Sequence, residues 1–151
     1  MPSHFLRNKM TETKQPVSLK SLLTPSKTVS IEFPGLVGFE VKLTYLAREE
    51  LLKLRNRSVK QVLNKKTRAY EEQLDNDKFL TEYCKAIIKG WKGLKYKYLE
   101  ELLLVDTSDV NPEDELVWND ENAELLMKNS GDFDNWVSET VGELENFTKV
   151  K

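Results

Sequence analysis

One cysteine and one histidine are all the thiol and imidazole chemistry this chain holds, and that scarcity sets the first limits on its function. Cys84 has no partner for an intrachain disulfide, which fits a reducing compartment, and with His4 it falls short of a four-ligand structural zinc site. His4 lies in an N-terminal stretch of Ser, Thr, Lys and Pro and is read as solvated, which leaves Cys84 without a base to activate it. The six glycines form neither a Walker loop nor a dinucleotide fingerprint. No run approaches the roughly 18 apolar residues that span a bilayer, and the start lacks the apolar segment of a secretory signal, so a cytoplasmic protein is expected. The carboxylates Glu100, Glu101, Asp106, Asp109 and Glu113 to Glu115 are read as solvated, and residues 106–112 lack the glycine and terminal glutamate of an EF-hand loop. No catalytic residues, cofactor or metal are expected, and the chain reads as a non-enzyme.

What the chain has in quantity is charge, and it is divided unevenly. A net charge of −2 hides 20 Lys and Arg against 10 Asp and Glu in residues 1–98, and 3 against 15 in residues 99–151. Such asymmetry marks an interaction surface, a self-complementary assembly or an internal salt-bridge seam. A length of 151 residues suits one domain able to bury roughly 68–70% of its unfolded surface without staples. We expect a loosely ordered arm over 1–27, with Leu19, Leu22 and Leu23 as a small anchor, and a single globular domain over 28–151.

Period-two alternation over Thr28 to Phe33 and Phe39 to Tyr45, broken by Pro34-Gly35-Leu36-Val37-Gly38, predicts a β-hairpin. Val29, Ile31 and Phe33 share one face with Phe39, Val41, Leu43 and Tyr45, and two strands alone are marginal, so this face must pack on helices or another subunit. A helix opens at Arg48 and is expected to continue through Val59, Val62 and Leu63, with 64–73 as exposed helix or linker. Asp75 caps a second helix whose stripe runs Phe79, Leu80, Tyr83, Ile87 and Trp91. A short helical run from Leu94 to Leu104 precedes an acidic loop. Asn119 caps a helix closed by Ser130-Gly131, and a last helix carries Phe133, Trp136, Val137, Val141, Leu144 and Phe147. The class is α+β, mostly helical, with an N-terminal β-hairpin packed with about four helices.

The run Lys89 to Tyr98 interleaves cations and aromatics, the combination that neutralises phosphates and stacks bases. Against nucleic-acid binding stand a pI of 5.6 and the acidic tail of the same domain.

The order of several short motifs is informative. Phe33-Pro34-Gly35, then Gly38-Phe39-Glu40-Val41-Lys42-Leu43, Arg48-Glu49-Glu50-Leu51, Trp91-Lys92-Gly93-Leu94, Leu116-Val117-Trp118-Asn119-Asp120-Glu121-Asn122-Ala123-Glu124-Leu125-Leu126, and a closing helix with Phe133 and Trp136 resemble the tail assembly chaperones of long-tailed bacteriophages, the lambda-type tape-measure chaperone family. The similarity covers roughly residues 28–147, and the stretch Lys95 to Asp114 is longer than the family leads one to expect. The resemblance implies a protein of the host cell cytoplasm that binds and solubilises the tape measure protein, promotes tail tube assembly and is absent from the mature virion. It also implies a tail tube subunit recruited through a frameshifted longer form, this chain being the short form or its equivalent. Homo-oligomers would follow from head-to-tail pairing of the opposite charges, and no membrane is involved. The residues expected at a partner contact are Trp91, Lys92, Lys95, Tyr96, Phe133 and Trp136, although core packing also accounts for Trp91, Trp118 and Trp136. The alternatives are a nucleic-acid-binding accessory protein and a structural or head–tail joining protein.

Overall fold

Pro34, Gly35 and Gly38 reverse the chain after Phe33, and the reversal is tied by Phe33 N–H donating to the Phe39 carbonyl at 2.9 Å. Gly35 and Gly38 adopt φ of 88° and 86°, the left-handed region that favours glycine. In this computed structural model, which describes residues 16–148, the flanking strands β1 (Ser26–Glu32) and β2 (Glu40–Leu46) pair antiparallel from Ser26↔Leu46 to Glu32↔Glu40. Phe33, Phe39, Val41 and Leu43 are buried, and Val29, Ile31 and Tyr45 pack against them, so the hairpin face read from the alternation is the one that forms the core. Thr28 and Thr44 share a 2.6 Å hydroxyl contact across the two strands.

The fold class is α+β, with seven helices and two small antiparallel sheets among the described residues. A single turn, α1 (Leu19–Leu22), precedes β1; its Leu19 and Leu22 and the adjoining Leu23 are exposed, and His4 lies outside the described residues. β1 also takes in residues 26 and 27, which the sequence assigned to the arm. The helix α2 (Arg48–Arg57) carries Glu49 and Glu50 in its first turn and Arg55 and Arg57 in its last, and buries only Leu54.

Three helical expectations are corrected, two of them before the third strand of the sheet. First, α2 does not run on to Leu63. Ser58, fully buried, donates its hydroxyl to the Leu54 carbonyl at 3.0 Å, and strands β3 (Val59–Asn64) and β4 (Ala69–Leu74) follow as a second hairpin. Asn64 decides this locally: its Oδ1 accepts the backbone N–H groups of Lys66 and Thr67, and its Nδ2 donates to Glu71, which closes a turn and leaves Arg68 at φ 58°. Val59, Val62 and Leu63 fit helical spacing equally well, so periodicity alone did not separate the two forms. Second, α3 (Asn76–Ile87), capped by Asp75 as expected, stops four residues before Trp91. The β-branched pair Ile87-Ile88 leads into β5 (Ile88–Lys92), which pairs with β2 through Val41↔Trp91 and Lys42↔Gly90 to give the order β1-β2-β5.

The rest of the chain covers this sheet. α4 (Tyr96–Leu102) leads into the acidic loop, which returns to the sheet where Leu116 N–H donates to the Leu94 carbonyl at 2.8 Å. α5 (Asp120–Asn129) is capped by Asn119, and Ser130 both ends it and caps α6 (Gly131–Val141) by accepting Phe133 N–H. The last stripe is not one helix: it breaks at Gly142, Leu144 stays exposed, and a short turn, α7 (Glu145–Thr148), seats Phe147 against Tyr45 at 5.5 Å. α3 and α6 pack on β2, with α5 packed against both helices.

Gly93 joins β5 to the loop at φ 77°, so close to the first hairpin that a Cβ there would lie 2.0 Å from the Gly38 carbonyl oxygen. Gly93→Ala must therefore strain a left-handed backbone and push the two turns apart. We expect a loss of about 2–5 kcal/mol in urea unfolding; a variant as stable as the parent would show that the two turns separate freely.

Candidate partner-binding site

The six residues proposed for a partner contact come to three different places. Phe133 is fully buried, and it stacks within 6.2 Å of Phe33 and 6.3 Å of Phe39. It is therefore withdrawn from the set, since no partner reaches it without opening the core. Trp136 packs edge-on to Phe33 at 4.9 Å on the rim of the same cluster. Trp91 also turns inward: its indole N–H donates to the Leu116 carbonyl at 2.9 Å, and its ring meets Phe39 edge-on at 6.4 Å. Beside it, exposed Lys92 pairs with Glu40 at 3.7 Å, and both border a shallow depression of about 310 Å³ with Ser30 and Lys42. Lys95 and Tyr96 belong to the acidic loop instead. Lys95 and Lys97 reach Glu113 at 3.1 and 2.7 Å, Glu115 accepts Gly93 N–H at 2.8 Å, and Tyr96 N–H donates to the Asp114 carbonyl.

This stapling changes the meaning of the Lys89 to Tyr98 stretch. Lys89 donates to the Lys85 carbonyl, the Tyr98 hydroxyl to the Val37 carbonyl at 2.7 Å, and three of its other cations face carboxylates. Lys97 and Lys95 hold the Glu113 carboxyl below its usual range by hydrogen bonding. A strip whose cations are spent on its own acids and whose aromatics point inward is a poor platform for phosphates and bases.

Surface apolar groups gather elsewhere. Past α4, Leu103, Leu104 and Val105 face Leu125 and Asn129 across a cleft of about 480 Å³, and Leu104 is wholly exposed. Leu125 also borders a second depression of about 410 Å³ that holds Asp120, Glu121 and Glu124 with Thr81 and Lys85. Glu124 is engaged by Lys128 at 3.0 Å, which lowers its pKa, whereas Asp120 and Glu121 stand at the helix start facing solvent. The result is an apolar slot continuous with an acidic shelf. Three acids, Asp120, Glu121 and Glu124, face one lysine, Lys85, in the lining of that depression, with Lys128 paired to Glu124 from outside it. Sequence reasoning did not single out the slot; the four-residue apolar run Leu102 to Val105, too long for one helical stripe, was the available signal.

The second exposed apolar surface is the β3–β4 hairpin. Its strands contact mainly each other, and Leu63 lies directly opposite Tyr70, which is 71% exposed. No family model, curated protein or solved structure matches the chain.

Among the described residues no group of three or more His, Cys, Asp and Glu is placed to hold a metal ion. Cys84 is enclosed by the core: burial first, then the Glu124 and Asp134 carboxylates, push its thiol up to about 12 from an ordinary 9.0. A group raised in the folded state stabilises it fully below the unfolded pKa, here near 9.0, and loses that contribution as pH climbs toward 12. The stability gap between the parent and Cys84→Ala in urea titrations should thus narrow above pH 9.0 and stay flat below it; a gap constant to pH 11 would contradict the burial. Two of the three part-buried tryptophans give a second expectation. Trp91 has a hydrogen-bond partner, while the buried Trp118 indole N–H has none. Trp118→Phe should therefore cost about 1 kcal/mol less than Trp91→Phe in thermal or urea unfolding, because it removes an unmet donor where the other orphans a carbonyl.

Proposed function

We propose that this chain is a tail assembly chaperone of a long-tailed bacteriophage, acting in the host cytoplasm to bind and solubilise the tape measure protein and promote tail tube assembly. The single observation that carries this is the slot of Leu103, Leu104, Val105 and Leu125 opening beside the acidic shelf of Asp120 and Glu121. An elongated helix with an apolar stripe flanked by Lys or Arg suits such a surface: the stripe fills the slot and its cations meet the shelf, as in helix-in-groove recognition. The motif residues behind the family resemblance support the reading differently. Phe33, Phe39, Trp91, Gly93, Phe133 and Trp136 converge on the first hairpin turn, so they act as a fold signature and leave client contact to the surface. Recruitment of the tail tube subunit falls in this reading to a longer frameshifted form, and the protein leaves before the virion matures.

The test is co-expression with the tape measure protein of the same phage. The parent chain should bring it into the soluble fraction as a complex, and Leu104→Asp should abolish recovery while leaving stability within about 0.5 kcal/mol, because the side chain is exposed. A tape measure protein equally insoluble with and without the chain would end the proposal. Detection of the chain in purified virions would favour a structural component instead.

A further inference from the structure

The geometry points to a specificity row on the exposed side of α5: Glu121, Leu125 and Asn129 select a client helix that carries Lys or Arg, an apolar residue and a hydrogen-bond donor at matching four-residue intervals. This rests on the reading that the Leu103–Leu125 slot seats an amphipathic client helix, and it states which such helices the slot accepts.

Residues four apart in a helix share a face, so Glu121, Leu125 and Asn129 form one line about 12 Å long beside the Leu103–Val105 wall. The opposite side of α5 is given to the core through Ala123, Leu126 and Met127. Three of the four other polar side chains of the helix are already engaged. Asn122 donates its side-chain amide to the Val117 carbonyl at 3.0 Å, and Glu124 pairs with Lys128 at 3.0 Å. The row keeps its capacity: Glu121 stands in the first turn on the acidic shelf, and Leu125 is 49% exposed where slot and shelf meet.

Among the described residues, Asn129 is the one polar side chain lining the slot. Its Nδ2 donates to the Leu125 carbonyl at 2.8 Å, which fixes the amide, since turning it over would set two oxygens against each other. Oδ1 is thereby left as an acceptor with no donor among the described residues. A helix that fills the slot takes this oxygen out of water. An apolar residue opposite it leaves the acceptor unsatisfied, whereas a donor such as Gln or Ser restores the lost hydrogen bond. The row therefore separates amphipathic helices that an apolar slot alone would treat alike. It also sets register, because a shift by one turn parts the donor from Asn129 and the cation from Glu121 together.

Fluorescence anisotropy on the full chain with synthetic helical peptides tests the row. The reference peptide carries Lys, Leu and Gln at four-residue intervals on a leucine-striped face and is made in both chain directions; the comparison peptide has Leu in place of Gln. In one direction the parent should bind the reference at least about tenfold more tightly than the comparison, as an unsatisfied buried acceptor requires. Asn129→Leu should erase that preference by raising affinity for the comparison peptide, which a mere loss of helix stability would not do. Glu121→Gln should weaken the reference peptide about threefold and flatten its salt dependence. Leu125→Asp should abolish binding of both peptides with circular dichroism unchanged. Equal binding of the two peptides by the parent, or a preference that survives Asn129→Leu, overturns the row and leaves the slot as a client site. Binding of neither peptide, or binding that survives Leu125→Asp, overturns the row together with the slot.

Discussion

Everything in this fold is referred to one close approach, that of Gly93 to the carbonyl of Gly38. It brings the end of β5 against the turn between β1 and β2, and it is possible only because Gly93 carries no side chain. From that point the aromatic cluster is set: Phe33 and Phe39 lie at the two ends of the turn, and Phe133, Trp136 and Trp91 close around them. Aromatic pairs at these separations contribute beyond their area, and here they join elements distant in sequence. Tyr98 adds a bond from α4 to the Val37 carbonyl, so the same seven-residue turn anchors sheet, helices and loop together.

The legible parts of the sequence were those in which local chemistry and burial agree. The first hairpin carries its turn glycines and a one-sided apolar alternation, and Asp75, Asn119 and Ser130 each cap a helix with a side-chain oxygen. The errors fall where tertiary or turn chemistry overrides periodicity. Val59, Val62 and Leu63 satisfy a helix pattern, but Asn64 folds back on Lys66 and Thr67 and commits the segment to strands. Trp91 falls on the stripe of α3 in projection, but pairing with Val41 claims it for the sheet. Both errors had one source, since a helix and a partly exposed strand can show the same few apolar positions. The candidate site was less legible than the fold. Aromatic residues look like markers of contact in a sequence, and in this molecule Trp91, Phe133 and Trp136 are spent on the core. The exposed apolar groups are mostly aliphatic, among them Leu104 and Leu125 at the slot and Leu63 beside Tyr70 on the second hairpin.

Folding also gives the charge asymmetry a shape. Glu113 and Glu115 tie the acidic loop to the β5–α4 junction, so part of the opposition between the two halves is settled inside the molecule. The cations of the second hairpin and the acids beginning α5 are not drawn into that staple. Lys65, Lys66 and Arg68 at the hairpin turn adjoin Leu63 and Tyr70, and Asp120 and Glu121 adjoin Leu125, so charge meets exposed hydrophobic surface at both places.

The manner in which the second hairpin is attached has an evolutionary consequence. It leaves the body at Ser58 and returns at Asp75, and a 2.6 Å bond from Asp75 N–H to the Ser58 carbonyl closes its neck. Six-residue strands extend it about 20 Å from that neck. Insertions, deletions or a wholly different tip can therefore accumulate beyond the neck while the aromatic cluster keeps its geometry. The neck thus uncouples the length and sequence of the hairpin from the scaffold that bears it.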